Sequence, residues 1–453
     1  MSRKYEINMC EGALFSKILK CAFPMVLANL LQLLYNAVDI IVVGRYAGET
    51  ALAAVGSTSA LINLIINLLI GVSVGASIVT SQYIGAQNRD KTQDAVHTSI
   101  LLAVIGGIFF SVIGFSLTRP LLVLTGSPDN VINKADTYMR IYFLGTPAFM
   151  VSNFGSAILR SVGDTKRPLY IFSLSGILNA VLNLVFVIKF NMDVDGVAIA
   201  TIISQYISAV LIIYTLTKTD GYVTLYIKEL RIKKDVFCEL LKKGLPVGIQ
   251  SLTFNISNII IQSSINSFGS VVIAGNSAAA NIESFLYTAL NTISVVATTF
   301  VAQNYGAKKY KRIDRILLLC LGLVMAIGVI ADVIFIPIQR NLLEIYAPGN
   351  DAAINAGMVR FKYIFDIYFL CGIMDVLSGV IRGIGKTTMT MFGAIIGVVG
   401  LRIVWIFAVF SRFKTLETLF LSYAVSWILT SSIFLLSYFI LRKKLFINEK
   451  ESL

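Results

Sequence analysis

The chain has 453 residues, 56% of them hydrophobic and 14% charged, with a mean hydropathy of +0.79 and a formal net charge of +13. Soluble domains carry about 25% charge, so this composition excludes a soluble globular protein and makes lipid the solvent. The single histidine, His97, excludes a multi-histidine metal centre, and Cys10, Cys21, Cys238, Cys320 and Cys371 show neither metal-ligand nor disulfide spacing.

Met1 to Lys20 is polar and basic, without a cleavable apolar core, so no signal peptide is expected. Apolar runs long enough to cross a bilayer then begin near Ser16, Ala51, Ala95, Val131, Leu169 and Gly196, and again near Val236, Val271, Ile313, Ala353, Met389 and Leu416. They predict an all-α integral membrane protein of about twelve transmembrane helices. Lys and Arg concentrate in the even-numbered loops and near both ends, most densely at Lys228, Arg231, Lys233, Lys234, Lys242 and Lys243 and at Lys308, Lys309, Lys311, Arg312 and Arg315. This bias predicts cytoplasmic termini and makes the positive charge a topology signal; no nucleic-acid partner is expected. The basic run between the halves also suits anionic lipid headgroups, though topology alone accounts for it.

The chain repeats itself. Leu19-Lys20-Cys21-Ala22-Phe23-Pro24 returns as Leu241-Lys242-Lys243-Gly244-Leu245-Pro246, and Gln82-Tyr83-Ile84-Gly85-Ala86-Gln87 as Gln303-Asn304-Tyr305-Gly306-Ala307-Lys308. Arg160-Ser161-Val162-Gly163-Asp164-Thr165 returns as Arg382-Gly383-Ile384-Gly385-Lys386-Thr387. The offset is about 222 residues, so two units of six helices are expected in the same orientation. The expected organisation is an N-terminal lobe over residues 1–216, a cytoplasmic linker over 217–235 and a C-terminal lobe over 236–453. Gly85, Gly306, Gly163 and Gly385 read as helix stops, and Arg160 and Arg382 as helix-end caps. Gly383-Ile384-Gly385-Lys386-Thr387 lacks the spacing and setting of a phosphate-binding loop, so ATP drive is not expected.

Polar residues inside the apolar runs carry the functional signal. Asn29, Gln32, Asn36 and Asp39 share one face of the first helix, with Tyr35 beside them. Asp39 is five residues short of Gly44-Arg45, so it lies roughly 8 Å inside the outer end. It reads as a protonatable carboxylate facing a cavity, or as a helix-end group reaching interfacial water; the stripe leading to it favours the first. Asn153, Asn179, Asn183, Thr201 and Gln205 on the fourth to sixth helices can bond Asp39, hold a cation, or act as interhelical glue, and on their residue types alone glue is the better reading. In the second half Ser251, Asn255, Asn258 and Gln262 repeat the stripe without the acid, Ile261 standing opposite Asp39. Glu283 and Asp375 read equally as cavity acids attracting a cationic ligand and as partners of Lys362, Arg382 or another base. Pro24 and Pro246 occupy matching places in the first helix of each half and read as a static kink or a hinge.

The polar-striped first helix, the two six-helix repeats, the Gln-x-x-Gly-Ala motif after the second span of each half and the Arg-Gly-x-Gly-type loops after the fourth together resemble the multidrug and toxic compound extrusion (MATE) family, from about Leu14 to Leu441. The resemblance implies an outward-open V of two six-helix lobes exporting amphipathic organic cations in exchange for protons or sodium. It also implies a plasma-membrane location and function as a monomer, with coupling ions but no cofactor. Asp39 matches the family's coupling aspartate, fifteen residues after the first-helix proline; Asn153, Asn179 and Thr201 match neighbouring positions of that site. Asn183 matches a place where many relatives carry a second aspartate. Its amide removes a carboxylate from any sodium site near Asp39 and favours protons.

Two other readings compete. A flippase for lipid-linked sugars, of the same broad superfamily, would need more cationic cavity residues. A membrane-embedded enzyme would need a clustered nucleophile, base or metal set, and a channel a repeated filter loop; neither stands out.

Overall fold

The computed structural model describes Tyr5–Glu451, and among these residues every regular element is helical. The first half comprises α1 (Leu14–Val42), α2 (Glu49–Gly85), α3 (Arg89–Leu124), α4 (Asp129–Leu144), α5 (Thr146–Ser161), α6 (Lys166–Leu184) and α7 (Val194–Thr217). The second comprises α8 (Lys234–Asn266), α9 (Ser270–Gly306), α10 (Tyr310–Phe335), α11 (Gln339–Tyr346), α12 (Asp351–Tyr363), α13 (Phe369–Gly383), α14 (Thr387–Ala394), α15 (Leu401–Trp405) and α16 (Leu416–Glu451). Among the described residues ten helices are long and apolar enough to cross a membrane, or eleven if α12 and α13, bent by 44°, form one span. The remaining run of the expected twelve is split: α4 and α5 have 16 residues each and are too short singly to span. Gly145 separates them, and Pro147 lies in the first turn of α5, where its missing N–H costs no helical bond. The corresponding break in the second half falls at Ile364–Tyr368, between α12 and α13.

The repeat is written in the backbone as well as in the residues. Gly48 and Gly269 take φ of 88° and 92° between the first two helices of their halves, and Gly163 and Gly385 take 81° and 89°. Only glycine enters that region without a Cβ penalty. Gly85 and Gly306 end α2 and α9 as expected, but the left-handed residue comes two positions later, at Gln87 and Lys308, each with φ 55°. The same three bonds close both turns: Ala86, Gln87 and Asn88 donate to Gln82, Ile84 and Tyr83, while Ala307, Lys308 and Lys309 donate to Gln303, Tyr305 and Asn304.

The chain divides into two compact units. The first takes the chain up to Glu11 together with Leu19–Gly248, and the second takes Gly12–Ile18 with Ile249 onwards. The boundary therefore falls inside α8. In the first unit the segment after α7 lies along α3: Gln93 donates to the Tyr222 carbonyl, Thr98 to that of Arg231, and Arg231 pairs with Asp94 at 2.7 Å. Between apolar helices in lipid there is little hydrophobic drive, so close backbone contact carries the packing. Gly71 and Gly75 of α2 meet Gly248 and Gly244 of α8 so closely that a Cβ on either α2 glycine would overlap the facing backbone. In the second unit Gly379 of α13 sits against Ser294 and Thr298 of α9 in the same way.

Candidate functional site

The first unit gathers the candidate coupling residues around Asp39. Asn179 and Asn183 are one turn apart on α6 and both are buried, as helical spacing requires of two side chains facing one neighbour. The Asn183 amide nitrogen donates to Asp39 Oδ1. With its amide turned to suit its neighbours, Asn179 donates to Asp39 Oδ1 at 2.8 Å, and its oxygen stands 3.3 Å from the Thr201 hydroxyl of α7. Thr201 also donates to the Val197 carbonyl at 2.9 Å. Asp39 thus accepts from two neutral amides and forms no ion pair among the described residues. The helices that carry it loosen just beyond: α1 continues into a π-helical turn at Val43–Ala47, and α6 into one at Val185–Lys189. Such turns recur at functional sites.

Other candidates stand apart from this cluster. The Asn153 amide donates to its own helix, at the Phe149 carbonyl. Tyr35 packs its ring on Gly176 of α6 and donates to the Ser173 carbonyl at 3.3 Å, fixing α1 against α6. Asn29, Gln32 and Asn36 are exposed. Gln205 reaches the phenol of Tyr142, while its Oε1 is enclosed without a donor beside Gly145. Tyr138 and Tyr142 of α4, with ring centroids 6.2 Å apart, lie within electrostatic reach of Asp39. Sequence reading missed them, although two tyrosines one turn apart on one helix face are the signal. Pro24 and Pro246 lie within α1 and α8, and each helix runs on through its proline.

In the second unit the polar residues form a network of their own. Glu283 of α9 pairs with Arg360 of α12, rather than with Lys362 or Arg382, at 2.6 and 2.9 Å. Arg360 also donates to Asn276 at 2.7 Å, and Asn276 to Gln262 at 3.4 Å. Asp375 of α13 accepts from Asn291 at 3.2 Å. Asn255 donates to the Ser251 carbonyl of its own helix, and Asn258 accepts from Arg402 at 3.2 Å. No group of three or more Asp, Glu, His or Cys able to hold a metal occurs among the described residues.

Comparison with known proteins agrees with the repeat. The model of the MatE family matches residues 24–185 and again 246–407, an offset of 222 residues at both ends. Probable multidrug resistance protein YoeA of Bacillus subtilis is 26% identical over 87% of each chain. The FAD transporter of Shewanella oneidensis is 25% identical over 72% of this chain and 74% of its own. Among solved structures, an outward-facing multidrug resistance MATE family transporter superposes with a TM-score of 0.91 at 20% identity, covering 98% of this chain and 99% of its own. The fold is that of these transporters, in a multi-pass membrane protein. With more than half its length matched by one family model, the chain belongs to the MatE family of multidrug and toxic compound extrusion transporters.

Proposed function

We propose that the chain exports amphipathic organic cations across the plasma membrane by antiport with protons, using alternating access, and that Asp39 is the exchanging group. One observation carries the reading. Among the described residues Asp39 is bonded only by neutral amides, so its charge can be removed or restored without breaking an ion pair. As an anion it holds Asn183 and Asn179 by charge-assisted bonds; protonated, it holds them less strongly, and the α1–α6 contact loosens. A substrate cation and a proton then compete for one negative charge, which is the reciprocal coupling that antiport requires. Sodium is the weaker reading, because Asn183 supplies an amide where a second carboxylate would strengthen a cation site. The excess of Lys and Arg in the even-numbered loops supports cytoplasmic termini, and the chain is read as working as a monomer.

The test is counterflow of a fluorescent organic cation in proteoliposomes, with proton and sodium gradients imposed separately. The proton gradient alone should drive wild-type export. Asp39→Asn should insert normally and lose the gradient response. Export by Asp39→Asn at the wild-type rate, with an undiminished response to the proton gradient, would remove Asp39 as the coupling group.

A further inference from the structure

The second unit holds a cation that nothing in the export cycle uses. Arg402 of α15 is 3% exposed, in the middle of an apolar run. Its helix is a short α-helical stretch between two π-helical ones, Ile395–Gly400 and Ile406–Phe410. Such irregular turns are found at functional sites because they re-aim a side chain out of the regular ladder. Arg402 Nε donates to Ser426 at 3.2 Å, and Nη1 donates to Ser257 and Asn258 at 3.2 Å each. The guanidinium lies on the face of Tyr423, 4.1 Å from the ring centroid. Three of five N–H donors are therefore used, and all three acceptors are neutral. Nη2 bonds to nothing among the described residues and is not one of the fully enclosed polar atoms.

A guanidinium buried in an apolar bundle calls for an anion, and among the described residues no carboxylate bonds to it. The nearby acid is already committed: Glu283 takes both its bonds from Arg360, whose guanidinium lies 5.9 Å from the centroid of the same Tyr423 ring. A purely structural staple between α8, α15 and α16 would need the hydroxyls but no permanent charge. The surroundings add aromatic faces. Trp427 stands 5.8 Å from Tyr423 and 5.3 Å from Tyr368, and Tyr368 stands 6.4 Å from Tyr287, which is 41% exposed.

We propose that Arg402 and Tyr423 form a binding site for the oxyanion of an aromatic solute, a carboxylate or phosphate borne on a planar ring. The two open N–H groups of Nη2 meet the oxyanion, and the Tyr423 and Trp427 rings take the aromatic body. An anionic lipid headgroup offers the same oxyanion chemistry, and the experiment separates the two sources.

The full chain is reconstituted in phosphatidylcholine nanodiscs. Binding of 1-pyrenebutyrate and of its neutral amide is read by quenching of tryptophan emission. The wild type should bind the acid about tenfold more tightly than the amide, as expected for a bond to a charged group. Arg402→Gln should erase that difference and leave amide binding unchanged, and Arg402→Lys should keep part of it. Equal binding of acid and amide by the wild type overturns the site, as does an undiminished preference in Arg402→Gln. If Arg402→Gln does not fold, Arg402→Lys and the wild-type comparison decide. Adding phosphatidylglycerol should leave acid binding unchanged if the occupant is a solute, and should weaken it through Arg402 if the occupant is a lipid. Binding needs no gradient, so failure here leaves the proton-coupled reading standing, and failure of that reading leaves this site standing.

Discussion

Glu283 and Arg360 lie 77 residues apart in the chain and form a two-pronged ion pair, both side chains buried. The arrangement changes what Glu283 can do. A carboxylate locked to a guanidinium offers little net charge to a passing cation. Its removal leaves a buried arginine without a counter-ion, which typically costs about 3–5 kcal/mol. Glu283→Gln should therefore lower the thermal midpoint of the protein in detergent, and Glu283→Gln with Arg360→Met should recover much of the loss. If Glu283→Gln melts like the wild type but binds cations less well than neutral analogues, Glu283 faces the substrate after all.

The glycine contact between α2 and α8 makes a second prediction. Gly75 lies against Gly244, with no room for a Cβ on either side. Gly75→Leu should cost about 1–3 kcal/mol or more through overpacking and lower the yield of folded protein. Gly56, on the same helix, has nothing within 4 Å of a Cβ position. Gly56→Ala should be neutral or stabilise by about 0.5–1 kcal/mol, since alanine is the better helix former. Equal effects at the two positions in a thermal-shift assay would count against close packing at Gly75.

The halves were legible because a duplicated backbone needs the same special residues twice. Gly163 and Gly385 must both enter the left-handed region, and the sequence keeps glycine at both. The Asp39 stripe was legible because helical periodicity puts Asn29, Gln32, Asn36 and Asp39 on one face. The partner of Glu283 was not, because periodicity orders residues along one helix and says nothing about which residue of α12 a residue of α9 will face. Arg402 was hidden for a different reason. Hydropathy averages a lone arginine inside an apolar run into its neighbours, and only its contacts on α8 and α16 show where it sits. The break at Gly145 was hidden because a Gly-x-Pro step can kink a helix without ending it, and only the backbone shows which occurs.

Loop charge predicts the side on which the 217–235 segment lies. Lys233 is exposed, and its backbone N–H donates to the Thr98 hydroxyl, a bond that does not need the lysine side chain. In a chain freed of its five native cysteines, Lys233→Cys should react with an impermeant thiol reagent only after the cells are opened. Reaction in intact cells would reverse the orientation.

Asn183 offers the sharpest test of ion choice. Its amide donates to Asp39 Oδ1, and it lies one turn from Asn179. Asn183→Asp changes the side-chain volume little but turns a donor into an acceptor. Two carboxylates at hydrogen-bonding distance repel unless a proton or a metal cation lies between them. Asn179 stands 2.8 Å from Asp39 and can turn its amide to present oxygen in place of nitrogen, so the variant would offer two carboxylates and one amide oxygen, a set suited to a hard cation such as sodium. The expected result is export that responds to a sodium gradient as well as to a proton gradient, with the wild type responding to protons alone. The measurement is dye efflux from proteoliposomes at fixed pH with and without sodium outside. Two controls give the result its meaning. Asp39→Asn in the same background should abolish the sodium response, because one carboxylate is then left. Asn179→Ala should weaken it, because a ligand is lost. If Asn183→Asp instead exports with the wild-type ion dependence, the contact between Asn183 and Asp39 holds α6 to α1 and takes no part in choosing the ion.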